Sequence, residues 1–227
     1  MSLSPWARMI TGFVLANTAI VVIIALVLLN KPESPPVIQG VVLPDAQSIP
    51  KFSLLDHHNQ PFGNADLLGQ WHLISYGFTT CPDVCPTTLA QLAQLKELLK
   101  QSGDELNILF YTVDHRRDTV TQLAAYMPFF HPEFTGLTHL DSNDNQHLPF
   151  EKGLGIAAIL TPTGQKSDEG DSGEQDYQVS HGVTLFLLNP QGQLQAILKP
   201  GSDEVRNKVF DAHTIYNDFL KIRAYFQ

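Results

Sequence analysis

The chain has 227 residues, 43% of them hydrophobic, which is enough to bury one substantial core once an N-terminal segment is set aside. Fourteen Lys and Arg residues stand against 23 Asp and Glu residues, and the formal net charge is -9. Such a surface repels nucleic-acid phosphates. A single acidic globular domain with no nucleic-acid partner is therefore expected.

The N-terminal segment, residues 10–29, carries no charged side chain. As a helix rising about 1.5 Å per residue, it would span the roughly 30 Å hydrocarbon layer of a membrane. A cleaved signal peptide is less favoured, because its apolar core is about 7–15 residues long and no small-residue cleavage site follows Leu29. Arg8 precedes the segment and biases the N terminus toward the cytoplasm. We expect a single-pass anchor, residues 1–30, in a bacterial inner membrane, with the rest of the chain in the periplasm.

After the anchor, a Pro-rich stretch predicts an extended linker over residues 31–50, and residues 51–227 are expected to form one domain. The first strands are predicted near residues 52–55 and, more strongly, over 71–78, which are aromatic and β-branched. Leucines then recur every three or four positions from Pro86 onward. This spacing predicts an amphipathic helix with proline in its first turn.

A second strand and helix follow, over residues 106–113 and from about residue 118, where Asp118 and Thr119 are typical helix-start residues. Residues 161–180 are acidic and Gly-containing, and they predict a solvated loop. Residues 182–198 contain two apolar runs around the turn NPQG, which predicts a β-hairpin, and a helix is predicted from about residue 203 to 225. This order favours an α/β sandwich of the thioredoxin type over a doubly wound sheet.

Cys81 and Cys85 are the two cysteines of the chain, and they lie between the strongest predicted strand and the strongest predicted helix. A helix N terminus favours thiolate over thiol and therefore lowers the pKa of a cysteine. Thiolates are both nucleophiles and soft metal ligands, so this pair is open to redox or metal chemistry. A purely structural disulfide is less favoured, because closing so short a loop adds little stability.

The sequence TTCPDVCPTTL, preceded by ISYGF, resembles the cysteine motif of the Sco family, also called SenC. These are membrane-anchored copper proteins that help to assemble cytochrome c oxidase. YTVDHRRDT resembles the family's strand that ends in two aspartates, here Asp114 and Asp118. DYQVSHGVTLFLLNPQG resembles the segment with the metal-binding histidine, here His181. The resemblance implies a thioredoxin-like sandwich with an N-terminal transmembrane helix, and copper bound by Cys81, Cys85 and His181.

Two thiolates and one imidazole form a soft donor set that suits Cu(I), and Cu(II) can add an oxygen ligand. Zinc can use the same donors with water in the fourth position, so the choice of copper depends on the resemblance. Apart from the resemblance, a lone histidine is more often a surface or core residue than a ligand. His181 is expected to open the strand GVTLFLL, at a position that faces the cysteine loop.

The resemblance implies a copper metallochaperone whose partner is cytochrome c oxidase subunit II, at its binuclear copper centre, or another copper acceptor. The alternative is an enzyme, a thiol–disulfide oxidoreductase that uses Cys81 and Cys85 as a redox-active catalytic pair to reduce the acceptor's cysteines. Three residues between the cysteines, instead of two, speak against a general oxidoreductase. Transfer of copper is therefore the primary expectation.

The roles of several polar residues near these motifs can each be interpreted in two ways. Asp83, Asp114 and Asp118 can tune a bound metal, or they can serve as turn and helix-cap residues. His115 stands where relatives usually have Pro, and it is expected to be an exposed turn residue or an auxiliary ligand. Ser180 replaces the family's usual Asp before the histidine. The sequence assigns no role to the remaining histidines: His57, His58, His72, His131, His139, His147 and His213.

Overall fold

The computed structural model describes residues 5–29, 34–140, 145–162, 177–202 and 208–226. The chain divides into two compact units, Met1–Pro35 and Pro36–Gln227. In the first unit, the described residues 5–29 form one helix, α1 (Pro5–Leu29). Its Met9–Leu26 stretch has a mean hydropathy of 2.4 and is long and apolar enough to cross a membrane. The predicted N-terminal apolar helix is therefore present.

The second unit is built around one large sheet. Its elements in chain order are β1 (Gly40–Ser48), β2 (Ser53–Asp56), β3 (Pro61–Gly63), a 3-10 turn (Asn64–Leu67), β4 (His72–Gly77), α2 (Val84–Ser102), β5 (Asn107–Thr112), α3 (Val120–Phe130), β6 (Thr135–Thr138), α4 (Leu148–Leu154), β7 (Ala158–Pro162), β8 (Tyr177–His181), β9 (Leu185–Leu188), β10 (Gln193–Leu198), β11 (Gly201–Ser202), β12 (Lys208–Val209) and α5 (Ala212–Phe226). Eight strands form the large sheet in the order β1-β10-β9-β4-β5-β6-β2-β3. β7 with β8 and β11 with β12 form separate pairs.

Strand β4 lies in the interior of this sheet, and all its residues are buried. It pairs in parallel with β5 on one side and antiparallel with β9 on the other. One core packs side chains of α2, α3 and α5 against residues such as Leu73 and Phe110. The other core packs Phe150 and Leu154 of α4 against residues such as Ile74. The result is the predicted α/β sandwich, with helices on both faces of the sheet.

The direction of the central strands determines where the polar loops meet. β4, β5 and β6 run parallel to one another, so their carboxyl ends share one edge of the sheet. The loop that holds Cys81 follows β4, Asp114 and His115 follow β5, and His139 follows β6. Residues far apart in sequence are therefore brought to the same edge.

The structure differs from the sequence predictions in the linker and in the start of the last helix. The linker predicted over residues 31–50 includes β1, which pairs with β10, because Val41 and Val42 align with apolar residues of the hairpin. The last helix begins at Ala212 and not near residue 203, since β12 occupies Lys208–Val209 and residues 203–207 lie outside the described residues.

The solvated loop predicted over residues 161–180 is also corrected at both ends. Pro162 pairs with Tyr177 and Ala158 pairs with His181, so β7 and β8 form an antiparallel hairpin. Residues 163–176 lie outside the described part of the chain. The residues of β8 alternate between exposed and half-buried, and β8 is hydrogen-bonded to β7. The polar composition of this segment does not indicate a strand.

Candidate metal centre

The two cysteines lie in the turn that links β4 to α2. The Cys81 backbone N–H donates to the carbonyl of Phe78 at 3.2 Å, which closes the turn. Asp83 stands at the N-cap position of α2, but its exposed side chain makes no capping hydrogen bond. Cys85 lies in the first turn of the helix and is 4% exposed, whereas Cys81 is half-buried. Both are free thiols.

The last residue of β4 explains how Cys85 reaches this position. A Cβ atom added at Gly77 would overlap the Cys85 Sγ and would lie 3.5 Å from the Phe110 ring. Glycine therefore lets the first turn of α2 pack directly onto the strand. The Cys85 sulfur is fixed by packing against the sheet.

His181 reaches the same point from the opposite direction, as the last residue of β8. Its Nε2 lies 3.9 Å from the Cys85 Sγ. Its Nδ1 contacts the Gly182 carbonyl oxygen at 2.7 Å, and because a carbonyl only accepts, Nδ1 carries the proton and the Nε2 lone pair is free. The ring is flanked by Tyr76 and Phe78, at centroid distances of 5.3 and 5.7 Å. The expectation that His181 opens the next strand is wrong, since β9 starts at Leu185.

The protonation states of this pair are set mainly by burial. Burial raises the pKa of Cys85, and the neighbouring Cys81 thiol adds to the increase. The predicted lowering by the helix N terminus is therefore wrong for Cys85, because desolvation of the thiolate is the larger effect. Burial lowers the pKa of His181. In the metal-free protein a neutral thiol faces a neutral imidazole, and a cation that binds here displaces the thiol proton.

The space between Cys85 and His181 is small. The cavity that both residues line has a volume of about 10 Å³, and Tyr76 and Phe210 also form its walls. That is close to the space taken by one water molecule, so the site suits an ion better than an organic substrate. Within the described residues, no three His, Cys, Asp or Glu side chains already surround one point. A three-ligand set therefore requires Cys81 to turn toward the other two.

Asp118 holds the cysteine loop against β5. Its carboxylate accepts hydrogen bonds from Thr79 N at 2.8 Å, Thr79 Oγ1 at 2.6 Å and Thr112 Oγ1 at 2.6 Å. Burial raises the pKa of Asp118, and these hydrogen bonds oppose the increase. The cap of α3 is Thr119, whose Oγ1 accepts from Gln122 N at 3.3 Å. Asp118 therefore positions the cysteine loop, and the interpretation of Asp118 as the cap of α3 is wrong.

Asp114 anchors the strand that carries His181. Its buried carboxylate accepts hydrogen bonds from Tyr177 Oη and Arg117 Nε. The Arg117 guanidinium lies 4.2 Å from the centre of the Tyr177 ring. Tyr177 begins β8 and His181 ends it, so this cluster holds one end of the strand. Tyr177 was not predicted from the sequence; its signal there is an aromatic residue in a polar segment.

His115 is half-buried and not exposed as predicted. Its ring lies 3.9 Å from that of His139, and the His139 ring stacks on that of His147 at 3.6 Å. The sequence alone predicts no role for His139 or His147. Their convergence depends on the parallel pairing of β5 with β6 and on the start of α4.

Comparison with known proteins identifies relatives over most of this unit. The SCO1/SenC family profile matches residues 43–211. A protein from Stutzerimonas stutzeri named putative copper-binding protein is 35% identical over 161 residues, which are 70% of this chain and 72% of that protein. The mitochondrial SCO2 homolog of Mus musculus is 39% identical over 143 residues, which are 62% of this chain but 52% of that protein.

The solved structures agree with the sequence relatives. Yeast Sco1 with copper bound is 30% identical and superposes with a TM-score of 0.60, covering 78% of this chain and 88% of that chain. The thioredoxin-like fold predicted from the sequence is confirmed. Because the family profile extends over most of the chain, from residue 43 to residue 211, the chain belongs to the SCO1/SenC family.

Proposed function

We propose that this protein is a membrane-anchored copper metallochaperone, in which Cys81, Cys85 and His181 bind the ion. The proposal is carried by one observation: Cys85 Sγ and His181 Nε2 lie 3.9 Å apart although 96 positions separate them in sequence. Thiol and imidazole donors in a water-sized space suit a single soft or borderline ion.

Copper is favoured over zinc by the relatives, which include a protein named for copper binding and a Sco1 structure with copper bound. The Sco proteins are cytochrome c oxidase assembly proteins. We extend this to a specific recipient, the binuclear copper centre of cytochrome c oxidase subunit II. A buried thiol that loses its proton only to a strongly bound cation is suited to Cu(I).

Delivery would proceed by exchange of ligands. The acceptor's thiolate or imidazole replaces the ligands of this chain one at a time, so the ion is never released to water. His181 lies on the peripheral β7–β8 hairpin and Cys85 lies against the core, so His181 is the ligand that can leave first. Its neutral imidazole needs no proton loss before it binds again.

The N-terminal helix gives the carrier its location. We assign α1 as a single-pass anchor in a bacterial inner membrane, with the second unit, Pro36–Gln227, in the periplasm. Confinement to the membrane surface raises the local concentration of donor around a membrane-bound acceptor. This arrangement suits transfer to a partner in the same membrane.

The test is a comparison of His181→Ala with His58→Ala, which removes an exposed histidine from the turn after β2. Cu(I) affinity is measured on the full chain in nonionic detergent by competition with a Cu(I) chelator. We expect His181→Ala to bind about 100-fold more weakly, with His58→Ala unchanged. Equal affinities for His181→Ala and the parent protein would refute the proposed ligand set.

A thiol–disulfide oxidoreductase is the second candidate, and the presence of two free thiols, Cys81 and Cys85, in one turn at the start of α2 favours it. Here one thiolate would attack an acceptor disulfide, and the second would resolve the mixed disulfide, so that two thiols are oxidised and one disulfide is reduced. The His181→Ala variant separates the two roles, because it keeps both thiols. Oxidase assembly that proceeds normally with this variant would favour the reductase.

A further inference from the structure

A second group of metal-binding side chains lies at the carboxyl edge of the sheet, outside the cysteine site. His115 follows β5, His139 follows β6 and His147 directly precedes α4. The centroid of the His139 ring lies 3.9 Å from that of the His115 ring and 3.6 Å from that of the His147 ring. The ring centroids of His115 and His147 are 6.4 Å apart. Three nitrogen donors from three separate loops therefore occupy one small region.

The central ring of this group has a second layer of contacts. Tyr111 Oη donates to Glu151 Oε1 at 2.7 Å, and it also contacts His139 Nδ1 at 3.4 Å. Because the hydroxyl has one hydrogen, and that hydrogen is directed at the carboxylate, His139 Nδ1 is the donor in the second contact. Burial raises the pKa of Tyr111, so the hydroxyl stays protonated. In this tautomer the lone pair of the His139 ring is on Nε2.

This chain of contacts is the usual arrangement behind a metal-bound histidine. An imidazole ligand commonly donates its second ring N–H to a polar group, which fixes its tautomer and orientation. Here a carboxylate stands behind that group, so the Glu151, Tyr111 and His139 side chains form one connected series. The negative charge of Glu151 also favours a cation nearby.

We propose that His115, His139 and His147 form a second metal site, for a divalent ion of borderline softness and Cu(II) in particular. Imidazole donors suit Cu(II), Zn(II) and Ni(II), and among these Cu(II) binds most tightly to a given set of ligands. The rings must turn from their stacked arrangement, since no three such side chains of the described residues already surround one point. His115 and His147 are half-buried, and they have more room to turn than His139, which is 4% exposed.

The proposed site is separate from the cysteine site. Cys81 follows β4 and His139 follows β6, and β5 lies between these strands. Two strand spacings amount to about 10 Å, so one ion cannot bridge the two sites. The proposal therefore does not depend on the proposed chaperone function, and it can be tested with the cysteine site removed.

The experiment uses the untagged full chain in nonionic detergent, with Cys81→Ser, Cys85→Ser and His181→Ala as the background. Cu(II) and Zn(II) are titrated separately, and the Cu(II) form is examined by electron paramagnetic resonance. We expect one Cu(II) per chain, with hyperfine coupling to nitrogen, and weaker Zn(II) binding. Adding His115→Asn and His147→Asn should weaken Cu(II) binding about 100-fold or more.

The matched control adds His57→Asn and His58→Asn to the same background. These rings are also 3.9 Å apart, so the control tests whether any adjacent pair of histidines would suffice. Cu(II) binding should persist in this control. The absence of tight Cu(II) binding in the background, or equal binding with His115→Asn and His147→Asn, would overturn the proposal. If circular dichroism shows that the double substitution unfolds the chain, the single substitution His115→Asn, at the turn after β5, is used instead. This variant is also expected to weaken Cu(II) binding, and unchanged binding would overturn the proposal.

Discussion

The two sides of the cysteine site are supported in opposite ways. Cys85 is 4% exposed and packs on β4, a strand whose residues are all buried. His181 belongs to a two-stranded hairpin in which every residue of β7 is exposed, and Ile159 reaches 66%. The thiol is therefore held by close packing, and the imidazole is held by the Gly182 carbonyl and two flanking aromatic rings. The core therefore fixes one of the two proposed ligands, and a peripheral hairpin presents the other.

This difference separates stability from function. Changes on the Cys85 side should disturb the folded state and the metal site together, because the same atoms serve both. Changes on the hairpin side should alter the presentation of His181 with little effect on global unfolding, since few apolar contacts are involved. The variants below test this separation.

The largest effect is expected from Gly77→Ala. The new Cβ would overlap the Cys85 Sγ, so the first turn of α2 must shift away from β4. We expect the free energy of unfolding to fall by about 1–3 kcal/mol and Cu(I) affinity to fall about tenfold or more. Urea unfolding and chelator competition measure the two quantities.

Gly136→Ala is the matched control for this change. Its Cβ would lie 2.8 Å from Met127 Cγ, on β6 and away from the cysteines. A similar loss of stability with unchanged Cu(I) affinity is expected. If both variants weaken copper binding equally, close packing behind Cys85 has no specific role.

A smaller effect, dependent on pH, is expected from the buried His72 at the start of β4. Burial lowers the pKa of His72 to about 4, and neither ring nitrogen has a hydrogen-bond partner among the described residues. The unfolded chain therefore binds a proton at a higher pH than the folded chain does. Stability is lost as pH falls from about 6.5 toward 4, by about 2 kcal/mol between pH 7 and pH 5.

His72→Leu removes this titration while keeping the position apolar. Unfolding free energies at pH 7 and pH 5 should differ by about 2 kcal/mol less in the variant than in the parent protein. Copper affinity at pH 7 should not change, because His72 lies at the opposite end of β4 from the cysteine loop. An unaltered pH dependence would show that His72 is not the group responsible.

The smallest effect on stability is expected from Tyr177→Phe. The change removes the hydroxyl that donates to Asp114, at the start of the strand that ends in His181. We expect a loss of about 1 kcal/mol or less in unfolding free energy, and faster hydrogen exchange of the β8 amides. A double-mutant cycle with Asp114→Asn checks the contact, since strictly additive effects would mean that the two side chains do not interact.

Much of the fold could be predicted from the sequence where the apolar pattern was continuous. β4, β5 and the β9–β10 hairpin are runs of buried apolar residues, and α2 has leucines at helical spacing. β1 was missed because it is an edge strand that contains Pro44 and Asp45 and has few buried residues. β7 and β8 were missed because an exposed hairpin has no apolar face to reveal it.

Of the three residues that the resemblance assigns to one site, the structure brings Cys85 and His181 together, but the effect of burial on their pKa values was not predicted. Placing Cys85 beside His181 required a family resemblance, since a separation of 96 positions carries no spacing signal. The rise in the pKa of Cys85 depends on its burial against Gly77 of β4, which a local motif does not encode. The grouping of His115 with His139 likewise depends on strand pairing, so the sequence left these rings unconnected.

The edge strands of the large sheet affect how readily copies of this protein associate with one another. β1 and β3 are the two terminal strands, and each contains a proline, Pro44 and Pro61. Proline has no N–H to offer to a neighbouring chain, and the register of β1 also shifts between Val42 and Gln47. Both rims are thus poor templates for strand addition, which protects the sheet from growing into fibres when many copies are crowded together.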